Sequence, residues 1–368
     1  MRPEPFHLQM SDVSRADLRD RLARTRWPDE PAGEAWKSGT SLAYAKELVR
    51  YWESDFDWKA QEERINGFRQ YRVEIDGIAL HYIHEPGRCE NPMPLLLSHG
   101  WPGSIVEFLD VIPRLTEHFT VVVPSLPGYP LSFRPGQRRF GVAEIADTFA
   151  KLMTDVLGYT KFGAQGGDWG AFITSRLGAQ RPELLTGIHL NYLAVLRNTS
   201  FASPTEEERQ WLVQLEGWVK EGSAYATIQG TRPQTLAYGL TDSPAGLASW
   251  IVEKFHAWTD HKGVVESAVS RDDMLANISL YWFTGAIGSS FWPYYARSQG
   301  PWPIPSTVDV PTAYTAFPKE ILRPPRSVAE KTYTNIQRWT DMDRGGHFAA
   351  LEQPELLADD ITAFFKGL

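Results

Sequence analysis

The sequence predicts an α/β fold in which a mostly parallel, doubly wound sheet is flanked by helices. Apolar runs at 95–97 and 121–123, typical of strands buried on both faces, are separated by sequence long enough for a helix. A segment of more than a hundred residues then interrupts this alternation. We therefore expect a helical arm over 1–70, core segments over 71–192 and 310–368, and a helical cap over 193–309.

The composition excludes several classes of function. The net charge is -8, from 37 basic and 45 acidic residues with no basic block, so no nucleic-acid partner is expected. The single cysteine, Cys89, suggests neither a disulfide nor a metal or redox site, and it fits a reducing compartment. No apolar run reaches the roughly 18 residues of a membrane span, and no signal peptide is evident. We expect a soluble, cytoplasmic protein with an uncharged partner, no membrane partner, no cofactor and no metal; a homodimer is left open.

The first 70 residues carry helix signals. Ser11 or Ser14 can cap a helix that ends before Pro28, and apolar residues from Leu42 to Trp52 keep near-helical spacing in a second helix. The tryptophans of this arm are expected to pack against the rest of the protein. They are Trp27, Trp36, Trp52 and Trp58.

The pattern changes at Tyr71, where the sheet is expected to begin. Asp76 and Gly77 separate two short runs of strand-forming residues, which predicts an antiparallel hairpin. The apolar runs that follow predict parallel strands. A helix predicted over 143–157, with Gly158 as its stop, leads into a short strand over 161–165.

A strand, a glycine-flanked turn and a helix meet at Gly166-Gly-Asp-Trp-Gly170. This pattern is typical of the nucleophile elbow of α/β-hydrolases, which holds one side chain at a sharp corner above the sheet. The residue at the corner is Asp168, whose carboxylate is charged at neutral pH and can attack a carbon directly, leaving an ester. The alternative is that Asp168 only caps the helix that follows.

The stretch His99-Gly-Trp-Pro-Gly-Ser104 follows the first buried strand. In an α/β-hydrolase this loop supplies one backbone N–H of the oxyanion hole, and the residue after the nucleophile supplies the other. We therefore expect the N–H groups of Trp101 and Trp169 to form that hole. His99 is expected to stabilise the turn rather than to act as a base. An ordinary turn between strand and helix is the alternative.

The chain order expected for this fold is nucleophile, acid, histidine. His347 lies in a glycine-rich turn after a late strand, and an amphipathic terminal helix is predicted over 354–365. Glu320 is the first carboxylate after the strand predicted over 310–317. We expect Glu320 to orient His347. Asp341 and Asp343, assigned to the strand of His347 itself, remain weaker alternatives, and the corner after the strand at 188–192 offers only Asn191.

The segment between the two core parts is predicted to form a cap over this site. Helical patterns run over 206–220 and 245–258. Seven of the fourteen tryptophans fall in this segment, and we expect most to pack between helices and a minority to line an apolar pocket. They are Trp211, Trp218, Trp250, Trp258, Trp282, Trp292 and Trp302.

Taken together, local motifs from the arm to the last helix resemble the microsomal-type epoxide hydrolases. They are Thr25-Arg-Trp-Pro-Asp29, His99-Gly-Trp-Pro-Gly-Ser104, Gly166-Gly-Asp-Trp-Gly170, Asp242-Ser-Pro-Ala-Gly-Leu247 with Glu253-Lys-Phe255, Tyr281-Trp282, Phe317-Pro-Lys-Glu320 and Arg344-Gly-Gly-His-Phe-Ala-Ala350.

The resemblance implies a function for the site. In that family the elbow Asp is the nucleophile, the His and a Glu or Asp activate water, and two cap tyrosines hold the epoxide oxygen. By local sequence the tyrosines correspond to Tyr225 and Tyr294, with Tyr295 as an alternative for the second. The expected substrates are a small apolar epoxide and water, and the product is a vicinal diol. Animal members begin with a membrane anchor that this sequence lacks, so soluble behaviour is expected.

Three other functions fit parts of the pattern. A haloalkane dehalogenase uses the same fold and Asp nucleophile, and the indole N–H groups of Trp101 and Trp169 could bind halide. The paired cap tyrosines and the full-length resemblance argue against it. A non-catalytic hydrolase-fold binding protein would not need the Asp168, Glu320 and His347 set. An esterase is the weakest alternative because no serine stands at the elbow.

Overall fold

The computed structural model describes residues 2–195, 201 and 203–368. Within them a single sheet of nine strands forms the centre of the molecule. Its strands are β1 (Glu4–Pro5), β2 (Gln70–Ile75), β3 (Ile78–Glu85), β4 (Met93–Ser98), β5 (Phe119–Pro124), β6 (Phe162–Gly166), β7 (Leu185–Leu190), β8 (Thr312–Ala316) and β9 (Ile336–Asp341).

The strands run in the order β1-β2-β3-β5-β4-β6-β7-β8-β9. The pairs β1–β2, β2–β3 and β3–β5 are antiparallel, and all later pairs are parallel. Asp76 and Gly77 both have positive φ, 52° and 81°, which is the backbone geometry of a two-residue hairpin between β2 and β3. The predicted α/β fold, with antiparallel strands opening a mostly parallel sheet, is confirmed.

The arm forms three helices. Ser11 caps the first, because its side chain accepts a hydrogen bond from the N–H of Ser14, which decides between the two caps considered. Asp57 caps the third in the same way, accepting from the N–H of Ala60; this third helix was not predicted from the sequence. The helices are α1 (Asp12–Ala23), α2 (Leu42–Ser54) and α3 (Trp58–Asn66).

The arm contacts the helices between β7 and β8 as well as the sheet. The Tyr51 hydroxyl donates to Asp272 at 2.8 Å, and the indole N–H of Trp52 donates to Ser279 at 3.0 Å. Arg21 donates to the Asp242 carboxylate at 3.0 Å. These side-chain hydrogen bonds therefore attach the arm to the helices between β7 and β8.

The helices of the first core part lie between the parallel strands. The helix predicted over 143–157 is α-helical to Lys151 and continues as a π-helical turn, Leu152–Val156. The helix after the elbow begins at Asp168 itself. The helices are α4 (Ile112–Leu115), α5 (Val142–Lys151) and α6 (Asp168–Gln180).

The segment between β7 and β8 is helical, as predicted, and we call its helices the cap. Two side chains of one cap helix hold the loop after β4: the Asn277 amide donates to the carbonyl of Pro102 at 2.7 Å, and the Tyr281 hydroxyl donates to that of Gly103 at 2.7 Å. The cap helices are α7 (Glu206–Gly217), α8 (Ala224–Thr231), α9 (Pro233–Asp242), α10 (Pro244–Trp258), α11 (Arg271–Thr284), α12 (Ile287–Ser290) and α13 (Trp292–Gln299).

The second core part closes the sheet. Its last helix covers the residues predicted from the sequence, and its apolar face packs into the common hydrophobic core. No helix of the described residues is long and apolar enough to cross a membrane. The helices are α14 (Arg326–Ala329), α15 (Ala349–Glu352) and α16 (Pro354–Phe365).

Candidate active site

Asp168 occupies a strained corner between β6 and α6. Its φ is 47°, in the left-handed region that non-glycine residues rarely adopt. The N-cap of α6 is Gly167, and no side chain caps this helix. The Asp168 side chain instead accepts a hydrogen bond from the N–H of Trp101 at 2.7 Å. The interpretation of Asp168 as a helix cap is therefore wrong.

Two glycines let the corner form. A Cβ atom on Gly166 would overlap the carbonyl of Gly170, and one on Gly170 would overlap the carbonyl of Ser98 at the end of β4. The turn after β6 thus packs directly on the backbone of the neighbouring strand, which fixes the height of Asp168 above the sheet. This is the geometry of a nucleophile elbow.

The loop after β4 faces the elbow. Its Trp101 N–H points at Asp168 Oδ1, whereas the N–H of Trp169, in the first turn of α6, makes no hydrogen bond to Asp168 within the described residues. His99 is buried, and its Nε2 accepts a hydrogen bond from the N–H of Leu126 at 3.2 Å. Burial lowers the pKa of His99 to about 4, so this side chain is a neutral part of the turn.

His347 and Glu320 meet Asp168 from the ends of β9 and β8. His347 Nε2 lies 3.5 Å from Asp168 Oδ2, and His347 Nδ1 lies 2.6 Å from Glu320 Oε1. The same Glu320 oxygen accepts a bond from the N–H of Ile321 at 2.7 Å. The structure thus brings together Asp168, His347 and Glu320, the three side chains that were predicted from the sequence to act together.

The charge of His347 follows from these neighbours. Burial alone would lower its pKa, but the negative charge of Glu320 and the hydrogen bond with Asp168 outweigh burial and raise the pKa of His347 well above its usual value. In the free protein His347 is therefore an imidazolium between two carboxylates. Removal of either negative charge would return it toward the neutral form.

The alternative partners for His347 lie elsewhere. Asp341 is exposed at the end of β9 and pairs with Arg323, and Asp343 lies beyond the strand to which it was assigned, close to Arg344. Asn191 accepts a hydrogen bond from the Gln165 amide at 2.8 Å. None of the three makes a hydrogen bond to His347 in the described part of the chain.

Tyr225 of α8 and Tyr294 of α13 enter the site from the cap. Both are buried, and the Tyr225 ring stacks on Trp101 with centroids 5.3 Å apart. The Tyr294 ring meets Trp169 edge-on at 4.7 Å and Tyr225 at 5.8 Å. Burial, with the nearby charge of Asp168, raises the pKa of both phenols well above 10, so both carry their proton at any working pH.

Tyr295 lies outside this cluster. Its ring packs against Trp292 at 4.9 Å, and its side chain is only partly buried. Tyr294, in contrast, has a buried hydroxyl with no hydrogen-bond partner among the described residues. The geometry therefore favours Tyr294 as the second tyrosine of the site.

Sequence reasoning missed several residues around the site. Trp258 packs edge-on against His347 at 5.1 Å, and Glu107 lines the cavity behind Asp168. Glu107 stands four residues after Gly103 of the loop after β4, whereas the sequence pattern for a catalytic acid in this fold is a carboxylate directly after a strand. In the described residues no group of three or more His, Cys, Asp or Glu side chains could hold a metal ion.

Fold and site together define the class of this protein as an α/β-hydrolase with a carboxylate at its elbow. A family model described as "Epoxide hydrolase N terminus" matches residues 3–108, and one described as "alpha/beta hydrolase fold" matches residues 93–227. The chain is 43% identical to a putative epoxide hydrolase of Stigmatella aurantiaca, over 99% of this chain and 85% of the relative. It is 36% identical to epoxide hydrolase 1 of Oryctolagus cuniculus, over 98% and 88%.

Solved structures agree. The juvenile hormone epoxide hydrolase of Bombyx mori superposes with a TM-score of 0.90 at 29% identity, covering 99% of this chain and 94% of that one. The Aspergillus niger epoxide hydrolase superposes with a TM-score of 0.87 at 31% identity, covering 100% and 97%. The chain belongs to the epoxide hydrolase family, in its microsomal type.

Proposed function

We propose that this protein hydrolyses small apolar epoxides to vicinal diols through an ester on Asp168. The observation that carries the proposal is the contact of Asp168 with both His347 and the Trp101 N–H, below two buried cap tyrosines. A carboxylate can attack an epoxide carbon without prior loss of a proton. The surrounding Trp101, Trp169 and Trp258 side chains favour an apolar substrate.

The first half-reaction opens the ring. Asp168 Oδ2 attacks a ring carbon, and the C–O bond on that carbon breaks to give an alkoxide on the adjacent carbon. The Tyr225 or Tyr294 hydroxyl donates a proton to this oxygen, which needs an acid because an alkoxide is far more basic than a phenolate. The strained backbone at Asp168 and the bond from Trp101 hold the carboxylate in place for the attack.

The second half-reaction cleaves the ester. Alkylation removes the charge of Asp168, which lowers the pKa of His347. The imidazolium therefore gives up its proton, which restores the phenol left as a phenolate by ring opening, and the neutral imidazole can act as a base. His347 takes a proton from water, which attacks the ester carbonyl, while Glu320 holds the imidazole and offsets its charge. The N–H groups of Trp101 and Trp169 stabilise the resulting oxyanion, and Asp168 is regenerated.

The named relatives support epoxide chemistry, while one observation favours a second candidate. The indole N–H groups of Trp101 and Trp169 are buried with no hydrogen-bond partner in the described residues, and two such donors could hold a leaving halide. A haloalkane dehalogenase would use them with the same Asp168. The buried pair of phenols argues for epoxides, because a halide leaves as a stable anion and needs no acid.

Turnover of epoxides and haloalkanes by purified protein separates these candidates. Aryl and alkyl epoxides should give diols, and bromo- or chloroalkanes of matching size should release little halide. In a single turnover in oxygen-18 water the label should enter Asp168 before it enters the diol. The Asp168→Ala variant, checked for folding by circular dichroism, should be inactive. Direct appearance of label in the diol would contradict the ester intermediate.

A further inference from the structure

Glu107 is a carboxyl beside the reacting groups for which the mechanism above has no role. It lies in a short 3-10 turn, Ile105–Phe108, shortly after Trp101. The residues directly before and after it are buried, whereas Glu107 keeps accessible surface. It lines one cavity together with Asp168 and His347. Glu107 therefore forms part of the wall that surrounds the reacting groups.

The cavity has the size and polarity of a water site. Its volume of ≈ 20 Å³ is room for about one water molecule. Six polar side chains line it, two of them Ser98 and His99, and the rest of the wall includes glycines of the two active-site loops and apolar side chains. A buried water needs about two to four polar partners, which this wall provides. The polar side chains include Glu107, Asp168, Asn191 and His347.

The position of the Glu107 carboxyl depends on Gly103. A Cβ atom at residue 103 would overlap Oε1 of Glu107, so the carboxyl lies directly over the glycine backbone. The backbone of Ser104 makes a hydrogen bond with this carboxyl, and no side chain of the described residues donates one to it. The loop thus brings into the site a carboxyl that can still accept a hydrogen bond from a small molecule.

The charge state of Glu107 suits a place near the nucleophile. Its pKa is raised to about 8, chiefly by burial and to a smaller extent by the charge of Asp168, against the opposing effects of the charge of His347 and the hydrogen bond with Ser104. At neutral pH the group is mainly protonated and does not repel the Asp168 carboxylate. Its carbonyl oxygen remains an acceptor for a water proton.

We propose that Glu107 positions the water that attacks the Asp168 ester, an inference that rests on the proposed epoxide hydrolysis. The water oxygen forms a bond to the ester carbonyl carbon, one water proton passes to His347 Nε2, and the other is held by Glu107. The bond from that carbon to the diol oxygen then breaks, and His347 returns the proton to this oxygen. The second water proton, now on the Asp168 carboxyl, passes to His347, which restores the carboxylate and the imidazolium. Glu107 gains and loses no proton.

Single-turnover kinetics of three variants test this role. Glu107→Leu removes the acceptor at similar volume, Glu107→Gln keeps a carbonyl acceptor, and Gly103→Ala displaces an unaltered Glu107. We expect ester hydrolysis to slow at least tenfold in Glu107→Leu, less than threefold in Glu107→Gln, and by an intermediate factor in Gly103→Ala. Alkylation should stay within threefold of wild type throughout, so the ester accumulates in intact-protein mass spectra.

The matched control is Glu117→Leu, which changes an exposed glutamate outside the site and should alter neither step. Three results would overturn the role of Glu107: hydrolysis within threefold of wild type in Glu107→Leu, equal loss in Glu107→Gln, or equal slowing of alkylation. If Glu107→Leu does not fold, Gly103→Ala decides alone, and unchanged hydrolysis there overturns the role. Failure of the proposed function itself is distinct, because then neither wild type nor His347→Gln would form an ester.

Discussion

The backbone N–H of His347 donates a 2.9 Å hydrogen bond to the carbonyl of Trp258, the last residue of a cap helix. Two further bonds join the same segments. Asp260 Oδ2 accepts from the N–H of Gly345 at 2.9 Å, and the N–H of Asp260 donates to Glu352 at 2.7 Å. The cap thus holds the loop that carries His347 as well as covering the site.

Replacing Asp260 should loosen that loop. In Asp260→Ala the buried N–H of Gly345 loses its acceptor, which costs about 1–3 kcal/mol of unfolding free energy. We expect ester hydrolysis by His347 to slow several-fold while alkylation by Asp168 is unaffected. Urea denaturation and single-turnover kinetics measure the two effects. The control is Asp260→Asn, whose amide oxygen can still accept; if it loses as much as Asp260→Ala, the hydrogen bond is not the cause.

His347 and Glu320 should serve only the hydrolytic half-reaction. His347→Gln should still be alkylated at Asp168 and should accumulate the ester, because ring opening needs no base. Glu320→Gln should slow the same step less severely, since it removes orientation and charge support rather than the base. Intact-protein mass spectrometry detects the adduct. If His347→Gln formed no adduct from a substrate that wild type turns over, the two-step scheme would be wrong.

Glu107 should make the free energy of unfolding depend on pH, and its replacement by a neutral residue should remove that dependence. Its pKa is raised from 4.5 to about 8 in the folded protein, chiefly by burial, with Asp168, His347 and Tyr281 as its charged or titratable neighbours. A carboxyl that binds its proton more tightly when folded lowers the free energy of unfolding as pH rises from about 4.5 to about 8. Once the pH is above the folded-state pKa of about 8, ionisation of Glu107 lowers the free energy of unfolding no further.

The neutral variant Glu107→Gln should not lose unfolding free energy in this way as the pH rises. Its melting temperature should match wild type near pH 4.5 and exceed it by a margin that grows up to pH 8 and then levels off. Differential scanning calorimetry between pH 4.5 and 9 measures the margin. The exposed Glu117→Gln should show no such trend. A margin that shrinks with rising pH would mean that Glu107 is ionised in the folded protein.

The sequence predicted those parts of the molecule that local signals determine. The corner at Asp168, the turn at His347 and the terminal helix Pro354–Phe365 each follow from glycines, apolar spacing or residue order. Two other features form only when segments distant in sequence meet in the fold: the hydrogen bond from the N–H of His347 to the carbonyl of Trp258, and the cavity beside Glu107. No local pattern in the sequence encodes such contacts, and for that reason they could not be predicted from it.

The cap tyrosines give the sharpest separation of epoxide from halide chemistry. General-acid assistance is worth roughly two to four powers of ten, and only the epoxide oxygen needs it. Tyr225→Phe or Tyr294→Phe should therefore slow alkylation by something in that range, and the double variant should be close to inactive. Because the rings contact each other at 5.8 Å and act on one oxygen, the single effects should not add.

Pre-steady-state quenching of tryptophan fluorescence follows this step, since Trp101 and Trp169 both contact the tyrosine pair. Ester hydrolysis by His347 should be nearly unchanged, and this provides the internal control for folding. Unaltered alkylation in both single variants would remove the tyrosines from the mechanism. Halide release that rivals epoxide opening, and that survives both substitutions, would instead assign the unpaired indole N–H groups to a leaving halide, because that chemistry needs donors but no acid.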